Sequence, residues 1–388
     1  VHGGSAPIPD VVPAPTEGIW HPRHGLFTSL AEYRQHLDPD RPTVGITFPR
    51  SYWLEHNTAH IEALVTAVEE LDANTVPFFC LRLPDARRGN PGMAQVLENL
   101  LRDDEGRCVV DTLVDVHGMS MTAGVPANAD AYPNLGVSVL HALTSYAPRA
   151  AWQATAQGME SMDVATQAAQ PEFDGALITK LLATREVDEV DDLTGAVVPR
   201  MVPVPGRAQA MAELALSWAR LARTPAGQRK VAIVFHHHPP RNDRIGCASG
   251  LDTFESVRQL LIRMADEGYD VPEQFETGDD IAQVLLSCLT CDQRWLTPEQ
   301  MHERAEAHAD LEISRPWYRG LPDSVRECMD RNWGPHPGTL FVHDDEFSFA
   351  GHLDGNVLLT IQPPRGTFEA VTDSAIHDPV LPPPHHYL

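Results

Sequence analysis

Positive charge is scarce in this sequence. Lys and Arg number 29 against 54 Asp and Glu, a formal net charge of −25 with histidine neutral. A surface that acidic repels phosphate backbones and anionic lipid, so nucleic-acid binding is set aside. Long apolar runs are missing too. No segment approaches the ~20 residues that a membrane span requires, and no basic-then-apolar signal opens the chain. The chain reads as soluble and cytoplasmic, and its start at Val1 rather than Met reads as a cut or processed N-terminus. Cysteine is sparse, six residues in all, which fits reduced cytosolic thiols better than a disulfide framework. Cys288 and Cys291 form a lone C-x-x-C in the helical stretch IAQVLLSCLTCDQRWL; without a second pair, burial on a helix face accounts for them better than zinc. The sequence also lacks a G-x-G-x-x-G after a strand and a G-x-x-x-x-G-K-[ST], so ATP is not expected to bind here.

Proline and histidine are plentiful, 33 and 19 residues. The prolines punctuate periodic segments rather than forming a low-complexity block. At roughly 100–200 residues per domain, the length suggests two or three domains. Residues 1–40 read as a polar lead-in segment. Residues 41–207 read as a first α/β domain. In it TVGITF (43–48), VPFFCL (76–81) and CVVDTLVDV (108–116) are buried parallel strands, separated by helical stretches at 58–71 and 93–101. Residues 186–206, mixing acids, Gly and Pro, read as a loop. Residues 208–335 read as a second α/β domain with a helical part. It contains an amphipathic helix to residue 223, the strand KVAIVF (230–235) and a helix opened by Asp252 with Glu255 three residues on, a capping-box spacing. Residues 336–388 read as short strands followed by an aperiodic His/Pro-rich tail. The expected class is α/β, with two or more Rossmann-like parallel-sheet units, a helical insertion and a small β-rich C-terminal segment. Both 43–48 and 230–235 are expected to be central strands.

In open parallel sheets, ligands bind on loops beyond the carboxyl ends of strands. The loop after 43–48 carries Arg50, Glu55, His56, Asn57 and His60. The loop after 230–235 carries His236, His237, His238, Arg241, Asn242 and Arg244, and an arginine fork suits carboxylates. A plainer account stays open: a solvated histidine turn, with the arginines paired to this chain's surplus acids. The tail gathers Arg365, Glu369, His377, His385 and His386 among rigid prolines, an assortment that a metal site can use. A solvated tail is the alternative there.

The blocks VGITFPRSYWLEHNTAHIEALVTAVEE, MDVATQAAQPEFDG, KVAIVFHHHPPRNDRIGCASGLDTFESVRQLLIRMADEGYDV and NVLLTIQPPRGTFEAVTDSAIHDPVLPPPHHYL resemble, in order, the family of the cobaltochelatase large subunit (CobN) and the magnesium chelatase H subunit. The resemblance runs from about residue 43 to the end. It implies a ligase inserting a divalent metal, Co²⁺ foremost, into a tetrapyrrole such as hydrogenobyrinic acid a,c-diamide. ATP would be hydrolysed on separate AAA+ partner subunits. By the same resemblance Glu369 is the proton acceptor or metal-delivery group, with His385 and His386 beside it and His377 as a further metal ligand. Asn57, His60, Arg241, Asn242, Arg244 and Arg365 are the substrate-binding set. Family members are far longer and carry a later HGTLE-type block, so the resemblance implies an N-terminal part of such a subunit. A non-catalytic tetrapyrrole- or metal-binding module, and a homologue acting on haem or another metal-tetrapyrrole, are the competing readings.

Overall fold

The computed structural model describes residues 13–155, 157–366 and 380–387. The chain divides after Arg223 into two units.

The first unit is built on an eight-stranded sheet. Its strands are β1 (Gly18–His21), β2 (Gly25–Phe27), β3 (Thr43–Pro49), β4 (Asn74–Cys80), β5 (Thr112–Asp115), β6 (Ser138–Ser145), β7 (Leu177–Val190) and β8 (Val197–Pro203). They lie in the order β2-β1-β4-β3-β5-β6-β7-β8. Strands β3 to β7 are parallel to one another. Numbered along the chain, those five lie 2-1-3-4-5, so the winding reverses between β3 and β5. Strand period decides what each face buries. Val44, Ile46 and Phe48 of β3 pack with Ile61, Leu64 and Val68 of the helix Ala59–Glu70, and with Met211 and Ala215 of the helix Arg207–Arg223. On the other face Val76 and Phe78 of β4 meet Val96, Leu97 and Leu100 of the helix Met93–Leu101. Two-sided burial is why these strands read as continuous apolar runs.

Three boundaries differ from the sequence reading. The lead-in is partly strand, because β1 and β2 extend the sheet antiparallel beyond β4. Residues 186–206 are largely a hairpin: β7 and β8 pair antiparallel at the opposite edge. Edge strands with a solvated face carry polar residues and lose the apolar signature. The helix Arg207–Arg223 covers the first sheet rather than opening the next domain.

The second unit holds two small sheets. Strands β9 (Val231–Phe235), β13 (Gly351–Asp354) and β14 (Val357–Ile361) form one, in the order β13-β14-β9. Strands β10 (Ala307–Asp310), β11 (Val342–His343) and β12 (Glu346–Phe349) form the other, in the order β10-β12-β11. β9 runs parallel to β14. Their core combines Phe235, Val357, Leu359 and Ile361 with Val257 and Leu261 of the helix Thr253–Asp266, and with Ile281 and Leu285 of the helix Gly278–Ser287. Asp252 caps the first of these helices, accepting from the Glu255 N–H at 3.1 Å. β9 is therefore an edge strand and not a central one. Among the described residues it has one neighbour, and it alternates in burial, with Val234 57% exposed. Cys288 and Cys291 lie just past the helix Gly278–Ser287 instead of within it, and both are buried.

Candidate functional site

The doubly wound order predicts a crevice at the carboxyl ends of β3 and β5, where the winding reverses. A cleft of about 440 Å³ lies there. His117, just past the end of β5, lines it. Asp115 is that strand's last residue and His117 stands two positions on, so both side chains project to one side. Asp115 is fully buried. Its Oδ1 accepts the backbone N–H of His117 at 2.9 Å and lies 2.8 Å from the ring Nδ1. Its Oδ2 accepts the Tyr132 hydroxyl at 3.1 Å and stands 3.5 Å from Nδ1 of His141 on β6. Burial works against the Asp115 carboxylate, yet His117 and His141 hold it well below the usual range. Burial likewise lowers the His117 pKa, and its hydrogen bond to Asp115 overrides this, lifting it to about 10. An imidazolium thus faces the Cys80 thiol at the end of β4, with Nε2 3.8 Å from Sγ.

The walls add guanidinium groups from Arg50, Arg82 and Arg185. Arg50 Nε donates to the Pro15 carbonyl at 2.6 Å, and Arg82 Nη2 donates to the Ala123 carbonyl. The Arg185 guanidinium stands 5.9 Å from the Tyr146 ring centroid. Glu55 lines the same cleft, so three guanidinium groups and one carboxylate share it in a chain of net charge −25.

Of the residues singled out from the sequence here, Arg50, Glu55 and Asn57 line the cleft, with Asn57 Oδ1 accepting the Met201 N–H at 2.8 Å. His60 does not. It lies in the core with 0% exposure, its ring edge-on to Tyr52 and neither nitrogen hydrogen-bonded. Burial pushes its pKa down to about 3. Helical periodicity turned that position inward with Ile61 and Leu64.

In the second unit the loop after β9 is held mostly by its own contacts. Arg241 forks onto Asp243 with distances of 2.9 and 2.8 Å. Arg244 Nε is 3.9 Å from the same carboxylate. Asn242 accepts the Thr290 hydroxyl at 2.8 Å. The plainer reading of the arginines, pairing with a surplus acid, describes Arg241. Arg241 and Arg244 nevertheless stay accessible, with side chains 43% and 50% exposed.

Glu369 and His377 lie outside the described residues. Residues 380–387 pack against their own unit. The Trp333 indole N–H donates to the Pro382 carbonyl at 2.9 Å, and Arg365 Nη2 to the Leu381 carbonyl at 2.8 Å. His385 is buried, its Nε2 2.9 Å from the Gly334 carbonyl and its ring against Tyr318 and His336. His386 faces Phe341, and burial pushes its pKa down to about 4. The two adjacent imidazoles therefore meet different surroundings.

Sequence reasoning passed over Asp115, His117 and His336. The first two were within reach, since they close an apolar strand run just as Arg50 follows TVGITF. His336 carried no signal, as only tertiary packing stacks its ring on Tyr318 at 4.7 Å.

The sequence model of the family CobN/Magnesium Chelatase matches residues 2–388. The chain belongs to that family. Among solved structures, the catalytic subunit of cobaltochelatase from Mycobacterium tuberculosis is similar over 99% of this chain, with a TM-score of 0.73 and 30% identity, and 30% of that chain is covered. The aerobic cobaltochelatase protein CobN of Sinorhizobium sp is 28% identical over 100% of this chain and 30% of its own length. The magnesium-chelatase H subunit of Rhodobacter capsulatus is 26% identical over 91% of this chain and 29% of its own. The chain spans about three-tenths of the length of these CobN and magnesium-chelatase relatives.

Proposed function

We propose that this chain is part of a chelatase large subunit that binds a tetrapyrrole and a divalent metal. The reaction is insertion of Co²⁺ into hydrogenobyrinic acid a,c-diamide, coupled to ATP hydrolysis on separate AAA+ subunits. The observation that carries the reading is the cationic cleft at the sheet's switch point, within a chain that matches the chelatase family throughout. The substrate's ring carries carboxylates, and Arg50, Arg82, Arg185 and the His117 imidazolium suit them. Arg241 and Arg244 offer further accessible guanidinium groups, and Asn57 an amide. Insertion releases two pyrrolic protons as the metal enters. Glu369 is the group proposed to accept one, with His377, His385 and His386 as transient metal ligands. His117 is unsuited to that task at neutral pH because it already holds its proton. A cytoplasmic location belongs to the same reading; no helix among the described residues is long and apolar enough to cross a membrane.

The test is made in the full-length subunit with its AAA+ partners. Glu369→Gln should keep macrocycle binding, followed by absorbance, and lose insertion. Unchanged insertion removes Glu369 from the mechanism. The competing reading is a non-catalytic tetrapyrrole- or metal-binding module whose chemistry resides elsewhere. It predicts that this chain alone binds the macrocycle and inserts no metal.

A further inference from the structure

Two clusters in the second unit, apart from the candidate site residues above, bring metal-ligating side chains within 4.8 Å of one another. They differ in what their lone pairs face. In the first, His352 places Nε2 3.0 Å from Glu273 and Nδ1 2.9 Å from Glu306, and the Cys288 thiol donates to Glu306 at 3.0 Å. Each donor there is answered by a carboxylate, and the cluster is a complete hydrogen-bonded network without an ion.

The second cluster is arranged the other way round. His302 comes from the helix Pro298–Arg304, His308 from β10 and Glu346 from β12, where sheet register sets His308 opposite Ser348. The Nε2 of His308 is 3.0 Å from the Ala305 carbonyl. A carbonyl only accepts, so Nε2 carries the proton and Nδ1 presents its lone pair. That Nδ1 is 3.9 Å from Glu346 Oε2. The His302 Nδ1 is 3.3 Å from the Ser348 hydroxyl, which leaves its Nε2 facing the same Glu346 oxygen, again at 3.9 Å. The rings lie 4.4 Å apart between centroids. Neither separation to Glu346 is a hydrogen bond. Each imidazole is anchored through its far nitrogen, as metal-ligating histidines are. With zinc bonds of ~2.0–2.2 Å, two tetrahedral ligands stand roughly 3.4 Å apart, so small side-chain shifts close the site.

We propose that His302, His308 and Glu346 bind one divalent transition-metal ion of the Zn²⁺ and Co²⁺ class. Two neutral imidazoles and one carboxylate suit these borderline ions, whereas Mg²⁺ and Ca²⁺ require oxygen ligands. The three side chains are 25%, 28% and 43% exposed, so the ion is reached from solvent and water completes its coordination. The site stands apart from the chelatase reading, because it uses none of Glu369, His377, His385 and His386.

The test is titration of the 388-residue chain with Zn²⁺ by calorimetry, and with Co²⁺ by visible absorption of its ligand-field bands. One ion per chain is expected at this site. His302→Gln, His308→Gln and Glu346→Gln should each weaken it at least about tenfold, and Ser348→Ala should do so by a similar factor through His302. His352→Gln should leave it unchanged. An unaltered Tm without metal shows that each variant folds. Parent-like affinity in both histidine variants overturns the proposal, as does loss in His352→Gln with retention in His302→Gln, or no binding by the parent chain.

Discussion

Asp115 and His117 are joined twice through a single oxygen: Oδ1 of Asp115 meets both the backbone N–H and the ring nitrogen of His117, at 2.9 and 2.8 Å. The pair is buried, and Tyr132 and His141 occupy the other oxygen's side.

This relationship gives stability a pH dependence on the alkaline side. The folded His117 pKa is raised from 6.5 to about 10. Its contribution is complete below pH 6.5 and is lost as pH climbs toward about 10, because the unfolded chain gives up the proton first. Thermal unfolding across this window should show Tm falling in the parent chain. His117→Gln should flatten that slope, and an equal slope would remove the pair as its origin.

His60 works in the opposite direction. Buried and neutral, with its pKa down near 3, it resists protonation that the unfolded chain accepts below pH 6.5. Its contribution is lost as pH falls from 6.5 toward 3. His60→Leu removes two unsatisfied buried nitrogens and should raise Tm, most visibly at pH 5, while macrocycle affinity stays at the parent value. Reduced affinity with unaltered Tm would return His60 to the substrate-binding set.

The cleft arginines should separate binding from folding. Arg82→Ala and Arg185→Ala each remove one charge-assisted contact worth ~1.5–3 kcal/mol, about tenfold or more in affinity for a carboxylated tetrapyrrole. A fully esterified macrocycle should bind weakly to the parent and show little further loss. Equal losses for acid and ester would mean that these arginines act on shape and not charge.

Gly278 opens the helix Gly278–Ser287 where it touches the helix Thr253–Asp266. A Cβ added there would sit 2.6 Å from the Glu255 nitrogen and 2.9 Å from the Phe254 carbonyl carbon. The obstacle is backbone, which cannot rotate aside. Gly278→Ala should therefore destabilise the second unit by ~1–3 kcal/mol, despite alanine's better helix propensity. Chemical denaturation measures it, and a neutral or stabilising result would contradict the close approach.

How much of this was legible follows from where each signal resides. Strands β3, β4 and β5 bury both faces, so composition alone exposed them. β9 has the same composition in one short run, but nothing in KVAIVF tells a strand with one neighbour from a strand with two. The hairpin β7–β8 was hidden because its polar residues belong to a solvated edge. At the site, Asn57 followed from the strand-end rule, while His60 failed because one helical turn carried it from loop to core. His302, His308 and Glu346 are spread over a helix and two strands, so no spacing connects them and only the fold of the second unit does.

The pairing of β9 with β14 has a consequence for how the second unit forms. Val231 meets Val357 and Phe235 meets Ile361, so almost the whole unit separates the two partners in sequence. Loop-closure entropy makes such a contact slow to nucleate. During synthesis β9 emerges early and waits, with its hydrogen-bonding edge open, until the chain past Ile361 has left the ribosome. The helices Thr253–Asp266 and Gly278–Ser287 have no β14 to close over in the interim. Truncation anywhere before β14 should therefore leave an aggregation-prone nascent chain rather than a smaller folded one.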